Sequence, residues 1–426
     1  MELSERLRNE FWENDGKNGG YIRSQYYDIK SVLDNNDMNW VLERLRDIKL
    51  HAAAHTEFYK GLDEYDSFPV VNKSIIIENR QMFIADTGYK EPLHISSTSG
   101  STGTPFSVLQ DMMKRKRTIA DLQIFGELAD YPSHERMIFF RALNPAHKRS
   151  PEQEERENIF YIDSSDLGEE GLGRMLRSVY EKEPMCLLSY SSTIVELAKY
   201  TDTLETKPDF PYVNSVITIG EGLSEENKEL IERVFSCRVF RRYSDMELGI
   251  LAQDSKDRNG YILNYGSYYF ECLKPDSDEP AEDGEVGRIV VTDLFNYAMP
   301  MIRYDTGDLG IFDTSGKVPM LKEIYGRQRD CIYSVSGNLI SPAKISVSMW
   351  GMSDVKQWQF IQKTKSGYVL KLNSREKIDG ASIIERLKDI LGESSDIKIE
   401  YVDEIPCLSS SKRRAVICEY NKDGDN

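Results

Sequence analysis

Met185-Cys186-Leu187-Leu188-Ser189-Tyr190, Ser215-Val216-Ile217-Thr218-Ile219 and Arg238-Val239-Phe240-Arg241-Arg242-Tyr243 are three short, mostly apolar runs separated by helix-like stretches. Their spacing decides the fold. The first reads as a buried strand, after which Ser191 or Ser192 caps a helix through Tyr200. The second is closed by Gly220-Glu221-Gly222. Ser224 then caps Glu225–Phe235, whose Leu230, Ile231, Val234 and Phe235 share one face at helical spacing. The third run is another strand. Strand and helix alternating in this way predict an α/β fold with a mostly parallel sheet covered on its faces. In such sheets ligands lie beyond the carboxyl ends of the strands, where Gly220–Gly222 and Tyr243–Glu247 fall.

Working outward, residues 1–60 read as polar helix, and Asn72 opens a short helix at Lys73–Asn79. Pro105–Leu109 and Met137–Leu143 read as strands, and Asp111 caps a helix running to about Ala129. Pro151–Glu157 reads as solvated surface. After Gly326 the pattern changes. Trp358–Lys363, Tyr368–Asn373, a helix from Ala381 to Leu391 with Asp379 as cap and Gly392 as stop, and Ile397–Val402 make a β-β-α-β unit. The expected boundary lies near 328, giving a large domain (1–328) and a small α+β domain (329–426).

The 426 residues suffice for two or three domains, and 40% apolar content is that of a globular chain. Net charge is −17, from 71 acidic against 54 basic side chains, which argues against a nucleic-acid or anionic-membrane surface. No apolar run approaches the roughly 20 residues of a membrane span, and the charged amino terminus lacks a secretory core. A soluble cytoplasmic protein is expected. Six scattered cysteines without a C-x-x-C pair read as reduced thiols. His51 and His55 have metal-compatible spacing but no third ligand nearby, and Lys114-Arg115-Lys116-Arg117 reads as a solvated helix face.

Chemistry is concentrated in Ser97-Thr98-Ser99-Gly100-Ser101-Thr102-Gly103-Thr104-Pro105. Glycines between hydroxyl residues let successive backbone N–H groups converge on phosphate oxygens. On composition alone a flexible linker reads equally well, and the Walker pattern is absent. The stretch resembles the signature loop of the adenylate-forming enzymes, most closely the phenylacetate–CoA ligase family and its relatives encoded among capsule-polysaccharide genes. Four further motifs follow in the family's order, so the resemblance spans roughly residues 70 to 420.

Tyr243-Ser244-Asp245-Met246-Glu247 is similar to the family's aromatic-Gly-x-[ST]-Glu, with Ser244 in place of Gly and Met246 in place of the hydroxyl residue. The resemblance gives Glu247 to Mg²⁺ and places Tyr243 by the adenine and acyl site. Arg303-Tyr304-Asp305-Thr306-Gly307-Asp308 resembles [RK]-Y-x-T-G-D, with Asp308 accepting the ribose hydroxyls. In Gly326-Arg327-Gln328-Arg329-Asp330 the resemblance assigns Arg327 to the nucleotide and Arg329 to the interdomain hinge. Lys412, in Pro406–Arg414, stands where the family's lysine bridges the acid's carboxylate and the α-phosphate, although Ser411 replaces a glycine. Gly220-Glu221-Gly222 loosely resembles the adenine-contacting turn, so Ser99–Thr104, Glu221, Gly222, Tyr243 and Ser244 join the expected nucleotide set. Tyr190, Gly220 and Tyr243 are expected in the acid pocket.

The resemblance implies an ATP- and Mg²⁺-dependent, AMP-forming ligase in which the small domain acts as a lid. A small carboxylic acid is the substrate and coenzyme A the expected acceptor. Transfer to an amine or hydroxyl, as on a sugar of a surface polysaccharide, is the alternative, and an ATP-binding protein without catalysis is the second. A homodimer is compatible with this reading.

Overall fold

The structure is a computed structural model that describes residues 3–63, 68–89, 92–97, 106–143, 149–256, 260–327, 331–340, 345, 348–349, 355–374, 378, 380–405 and 415–420. Three helices open the chain: α1 (Leu3–Lys17), α2 (Tyr21–Asn35) and α3 (Met38–His55). A short helix α4 (Lys73–Glu78) follows, started by Asn72, whose side chain accepts from the Ile75 N–H at 3.1 Å. The hairpin β1 (His94–Ser97) and β2 (Ser107–Gln110) precedes α5 (Met112–Glu127), which Asp111 caps through the Lys114 N–H at 2.8 Å.

The central α/β segment comprises β3 (Met137–Arg141), α6 (Pro151–Glu157), β4 (Ile159–Asp163), α7 (Glu169–Lys182), β5 (Cys186–Tyr190), α8 (Ser191–Thr203), β6 (Ser215–Ile219), α9 (Glu225–Phe235) and β7 (Arg238–Asp245). Helix α9 begins as the sequence predicts, with Ser224 Oγ accepting from Asn227 N–H. Helix α8 does not. Its cap position is Tyr190, and neither serine closes the first turn. Instead, Glu221 from the next strand–helix connection accepts the Ser192 N–H at 2.9 Å. A carboxylate at a helix amino terminus also complements the helix dipole.

Strands β8 (Gly249–Asp254), β9 (Tyr261–Leu263), β10 (Tyr268–Leu273), β11 (Val286–Asp293), β12 (Tyr304–Asp313) and β13 (Met320–Arg327) complete an 11-stranded sheet ordered β10-β11-β12-β13-β9-β8-β7-β6-β5-β3-β4. The α/β class is confirmed, and the sheet is mixed. Strands β7, β6, β5, β3 and β4 pair in parallel because helices connect them. Shorter returns join β7 to β8 and β8 to β9, and these pairs are antiparallel. One face of the parallel part carries Ile138, Phe140, Leu187, Val216 and Val239 into a core with α7, α8 and α9. Burying each such side chain contributes about 1.5–3 kcal/mol.

The described residues fall into two compact units, one reaching to 323 without 307–310, the other running from 324 with 307–310. The second contains β14 (Ile332–Tyr333), β15 (Leu339–Ile340), β16 (Val355–Gln362), β17 (Gly367–Ser374), α10 (Gly380–Leu391), β18 (Asp396–Tyr401) and β19 (Val416–Cys418). Its four-stranded sheet has the order β18-β17-β16-β19. Ile383, Leu387 and Leu391, four residues apart on α10, pack with Phe360, Leu370 and Leu372. Gly392, at φ 103°, ends the helix, and Asp379 lies outside the described residues. No helix among the described residues is long and apolar enough to cross a membrane.

The basic run on α5 is not a solvated face. Lys114 and Arg117 are fully buried, together with Ala120, Asp121, Ile124 and Phe125 of the same helix, while Met112, Met113 and Leu122 are exposed. Cys186, Cys237, Cys272, Cys331 and Cys418 are free, and Cys407 lies outside the described residues.

Candidate active site

The carboxyl ends of β5, β6 and β7 stand side by side. Tyr190 is in register with Ile219, and Ile219 with Arg242, so Gly220 and Tyr243 follow the last paired residues of β6 and β7 at one level, while β7 runs on to Asp245 beside β8. Gly220 has φ 75°, a left-handed turn that a glycine makes without strain. Glu221 stays beside α8, its backbone carbonyl accepting from Ser191 Oγ at 3.0 Å and its carboxylate held by Ser192 N–H. Its side chain is therefore engaged in capping, and a nucleotide contact at this turn falls to the backbone of Gly220–Gly222. Tyr190, Gly220, Glu221, Gly222, Tyr243 and Ser244 form one contiguous edge.

Beyond Tyr243 the pairing with β8 shifts register at Ser244. Asp245 closes the turn, its carboxylate accepting Leu248 N–H at 2.6 Å and Gly249 N–H at 3.4 Å. Burial, with the Glu247 carboxylate nearby, raises the Asp245 carboxyl well above the usual range. The turn directs Glu247 inward, where it is 4% exposed. Glu247 Oε1 lies 2.8 Å from Lys73 Nζ and accepts Tyr304 OH at 2.8 Å.

Lys73 and Tyr304 meet there because the chain before α4 is strapped onto β12. Val71 N–H donates to Arg303 O at 3.0 Å and Asp305 N–H to Val71 O at 2.8 Å, forming a parallel bridge between Val71 and Tyr304. Arg303 adopts φ 51°, held in place by its guanidinium on Glu271 (3.2 Å) and on Phe68 O (3.0 Å). Phe106 stacks on Tyr304 at 6.3 Å, and Lys73 Nζ lies 5.3 Å from the centre of the Phe106 ring. Sequence reasoning quoted Tyr304 within a motif without assigning it a role and missed Lys73 altogether; the long-range bridge that brings them together leaves no local signature.

The β1–β2 hairpin pairs Ser97 with Ser107 and so brackets the Ser/Gly stretch. Both its strands are tied to the Glu247 turn: Ser96 Oγ donates to Met246 O, and Gln110 Nε2 donates to Glu247 O at 3.1 Å. Ser99, Gly100, Ser101, Thr102, Gly103 and Thr104 lie outside the described residues. Behind this turn is a buried polar network. Lys114 Nζ lies 2.7 Å from Asp293 Oδ2 and donates to Tyr268 OH at 3.1 Å, and Tyr268 OH donates to Leu248 O at 2.5 Å. Arg117 Nε donates to Ser267 Oγ at 3.0 Å, and Ser267 Oγ donates to Asp121 at 2.7 Å. Burial lowers the Arg117 guanidinium to about 10. Tyr268→Phe is therefore expected to fold and to lose about 0.5–1.5 kcal/mol of stability, the worth of one net hydrogen bond. A melting curve checks this; an unchanged melting temperature would leave the Tyr268 hydroxyl without a part in the network.

In the second unit Asp308 Oδ1 lies 3.2 Å from Arg327 Nε, joining two of the predicted residues on neighbouring strands. Gly307 has φ 77°, and an added Cβ would lie 3.5 Å from Arg327 Nη1. Arg329 and Lys412 lie outside the described residues. His51 contacts Tyr297 O at 2.9 Å and His55 contacts Asp86 at 3.0 Å, and no group of three metal-binding side chains occurs among the described residues.

Residues 332–419 match the CapK C-terminal domain family. The chain is 21% identical to Protein CapK of Staphylococcus aureus over 93% of each chain. It is 20% identical to phenylacetate-coenzyme A ligase of Escherichia coli, over 90% of this chain and 94% of that one. Among solved structures, 2-hydroxyisobutyryl-CoA ligase in the postadenylation state with 2-HIB-AMP superposes with a TM-score of 0.70 at 19% identity, covering 90% of this chain and 89% of that one. The fold is that of the adenylate-forming enzymes, and along most of its length the chain is similar to CapK and to the phenylacetate-coenzyme A ligases.

Proposed function

We propose that this protein activates a carboxylic acid with ATP as its acyl-adenylate and then transfers the acyl group to coenzyme A. The single observation that carries the reading is the buried Glu247 carboxylate, held by Lys73 and Tyr304 and flanked by the hairpin that brackets the Ser/Gly stretch. A carboxylate oxygen of the acid attacks the α-phosphorus of ATP and pyrophosphate leaves. The acceptor thiol then attacks the acyl carbon and AMP leaves. Coenzyme A as acceptor is supported by the ligases named above; an amine or hydroxyl acceptor is the alternative.

The site's donors fit Mg²⁺. One buried protein carboxylate suits an ion that takes most of its ligands from phosphate oxygens and water. Glu247 would hold it, and the ion when bound would neutralise phosphate charge. Lys73, 31% exposed at its side chain, can turn from Glu247 toward a phosphate oxygen. The backbone of Ser99–Thr104 and the Gly220–Gly222 turn bind the nucleotide in this reading. Arg327 fixes Asp308 for the ribose hydroxyls, and Lys412 steadies the two anions that meet in the first step. The small domain from 329 serves as the lid, with Arg329 at its hinge, and the reaction runs in the cytoplasm.

A screen of AMP and pyrophosphate release across carboxylic acids, with and without coenzyme A, tests the reading. Acid-dependent release is expected, and ATP cleavage to ADP would overturn it. Asp308→Ala is expected to raise the KM for ATP with a smaller effect on kcat, because the ribose contact exists in ground and transition states alike. Two hydrogen bonds to a charged group predict a loss of about 2–4 kcal/mol. Calorimetry showing unchanged ATP affinity would leave Asp308 as a turn residue.

A further inference from the structure

We propose, building on the ligase reading, that the acid this protein activates carries a second anionic group, which Arg141 receives. The argument begins with strand alternation on β3. Ile138 and Phe140 are fully buried on the helix-covered face, so Met137, Phe139 and Arg141 share the other. On that face burial decreases along the strands. Met137 and its register partner Cys186 are buried; one step on, Phe139 with Tyr161 and Leu188 is half-buried; at the strand end Arg141, Tyr190 and Ile219 are half-buried. The sheet therefore opens a mouth at its carboxyl edge, where the pairing of β6 with β7 ends just before Gly220 and Tyr243. Phe139 and Tyr161, with ring centres 5.6 Å apart, supply its apolar wall.

Arg141 lies on that wall, its guanidinium carbon 5.1 Å from the Phe139 ring centre, and Arg149 lies 5.8 Å from the Tyr161 ring. The Nε of Arg141 is buried without a hydrogen-bond acceptor, and no carboxylate among the described residues is within ion-pair distance of its guanidinium. The acid opposite it in register, Asp163, is engaged elsewhere: Oδ1 accepts Leu143 N–H (3.2 Å) and Ser165 N–H (3.1 Å), and Oδ2 accepts Ser165 Oγ–H (2.9 Å). Other half-buried arginines of the sheet are matched, Arg241 by Asp254 and Glu225, Arg288 by Asp305 and Asp278, Arg303 by Glu271. With acidic side chains in excess, 71 to 54, an unmatched guanidinium at a pocket mouth points to an anion supplied from outside the chain. The planar fork fits a carboxylate or phosphonate in bidentate fashion.

Matched acids test this: butanoate against succinate and benzoate against isophthalate, with 3-phosphonopropionate as the phosphonate arm, each followed by AMP release. For at least one pair the dianion is expected to have the higher kcat/KM by roughly 10- to 100-fold, the range of a charge-assisted hydrogen bond. Arg141→Gln should collapse that ratio, and Arg141→Lys, which keeps the charge without the fork, should retain part of it. Equal use of both members of every pair, a preference for the monoanions, or a ratio unmoved by Arg141→Gln would overturn the proposal. So would a raised KM for coenzyme A with an unchanged acid ratio. AMP release with none of the acids would count against the ligase reading itself.

Discussion

Glu247→Gln is expected to fold and to form acyl-adenylate at least about 10²-fold more slowly than the wild type. The amide matches the carboxylate in size and keeps an oxygen for Tyr304 OH, so packing at this buried site survives. What disappears is the charge that Lys73 now faces and that Mg²⁺ would take. Losing one such electrostatic contact in a transition state costs about 10²–10³ in rate. The ammonium of Lys73 reaches solvent from its present position, so the thermal penalty should be smaller than the roughly 3–5 kcal/mol of a fully buried pair broken on one side. Acid-dependent ATP–pyrophosphate exchange reports the first half-reaction alone, and a melting curve reports the fold. Exchange at the wild-type rate in the folded variant would remove Glu247 from the mechanism.

Lys412→Ala carries the second large expectation, and it separates the half-reactions. Carboxylate and triphosphate repel as they approach, and an ammonium between them stabilises the charge developing on the α-phosphate. After pyrophosphate has left, that need is gone. The variant should lose about 10²–10³ in rate from free acid and ATP, yet convert chemically made acyl-AMP and coenzyme A at close to the wild-type rate. Equal losses in the two assays would rule out this division of labour. A loss confined to the second assay would place Lys412 with the acceptor.

The α/β segment was legible because its signals are local. Ser224 caps α9 with its own hydroxyl, and Ile231 and Phe235 recur on one face at helical spacing. Strand ends placed the stretch Tyr243–Glu247 at the carboxyl edge, and the resemblance to the adenylate-forming enzymes singled out Tyr243 and Glu247 within it. Local reading misled at α8, where the amino-terminal cap comes from Glu221, a residue of the next connection. It misled again at Lys114, which Asp293 pairs in the core, and at Arg117, whose N–H groups are accepted by Ser267 and Gln25. Strands β8 to β13 went unread because β8 and β11 are buried along most of their length and so show no clear alternation, and because β13 pairs with the distant β9. Lys73 was hidden for the same reason: only the bridge of Val71 to Tyr304 brings it to Glu247.

The central claim is that the acid attacks the α-phosphate, and an oxygen label follows that bond directly. With a carboxylic acid labelled with ¹⁸O in both carboxylate oxygens, one turnover in the presence of ATP and coenzyme A should leave one labelled oxygen in the AMP phosphate, since the acceptor cleaves the bond between acyl carbon and oxygen. Mass spectrometry of the nucleotide reads the answer. AMP carrying one ¹⁸O is the predicted result; unlabelled AMP, or ADP with the label in inorganic phosphate, would contradict the account.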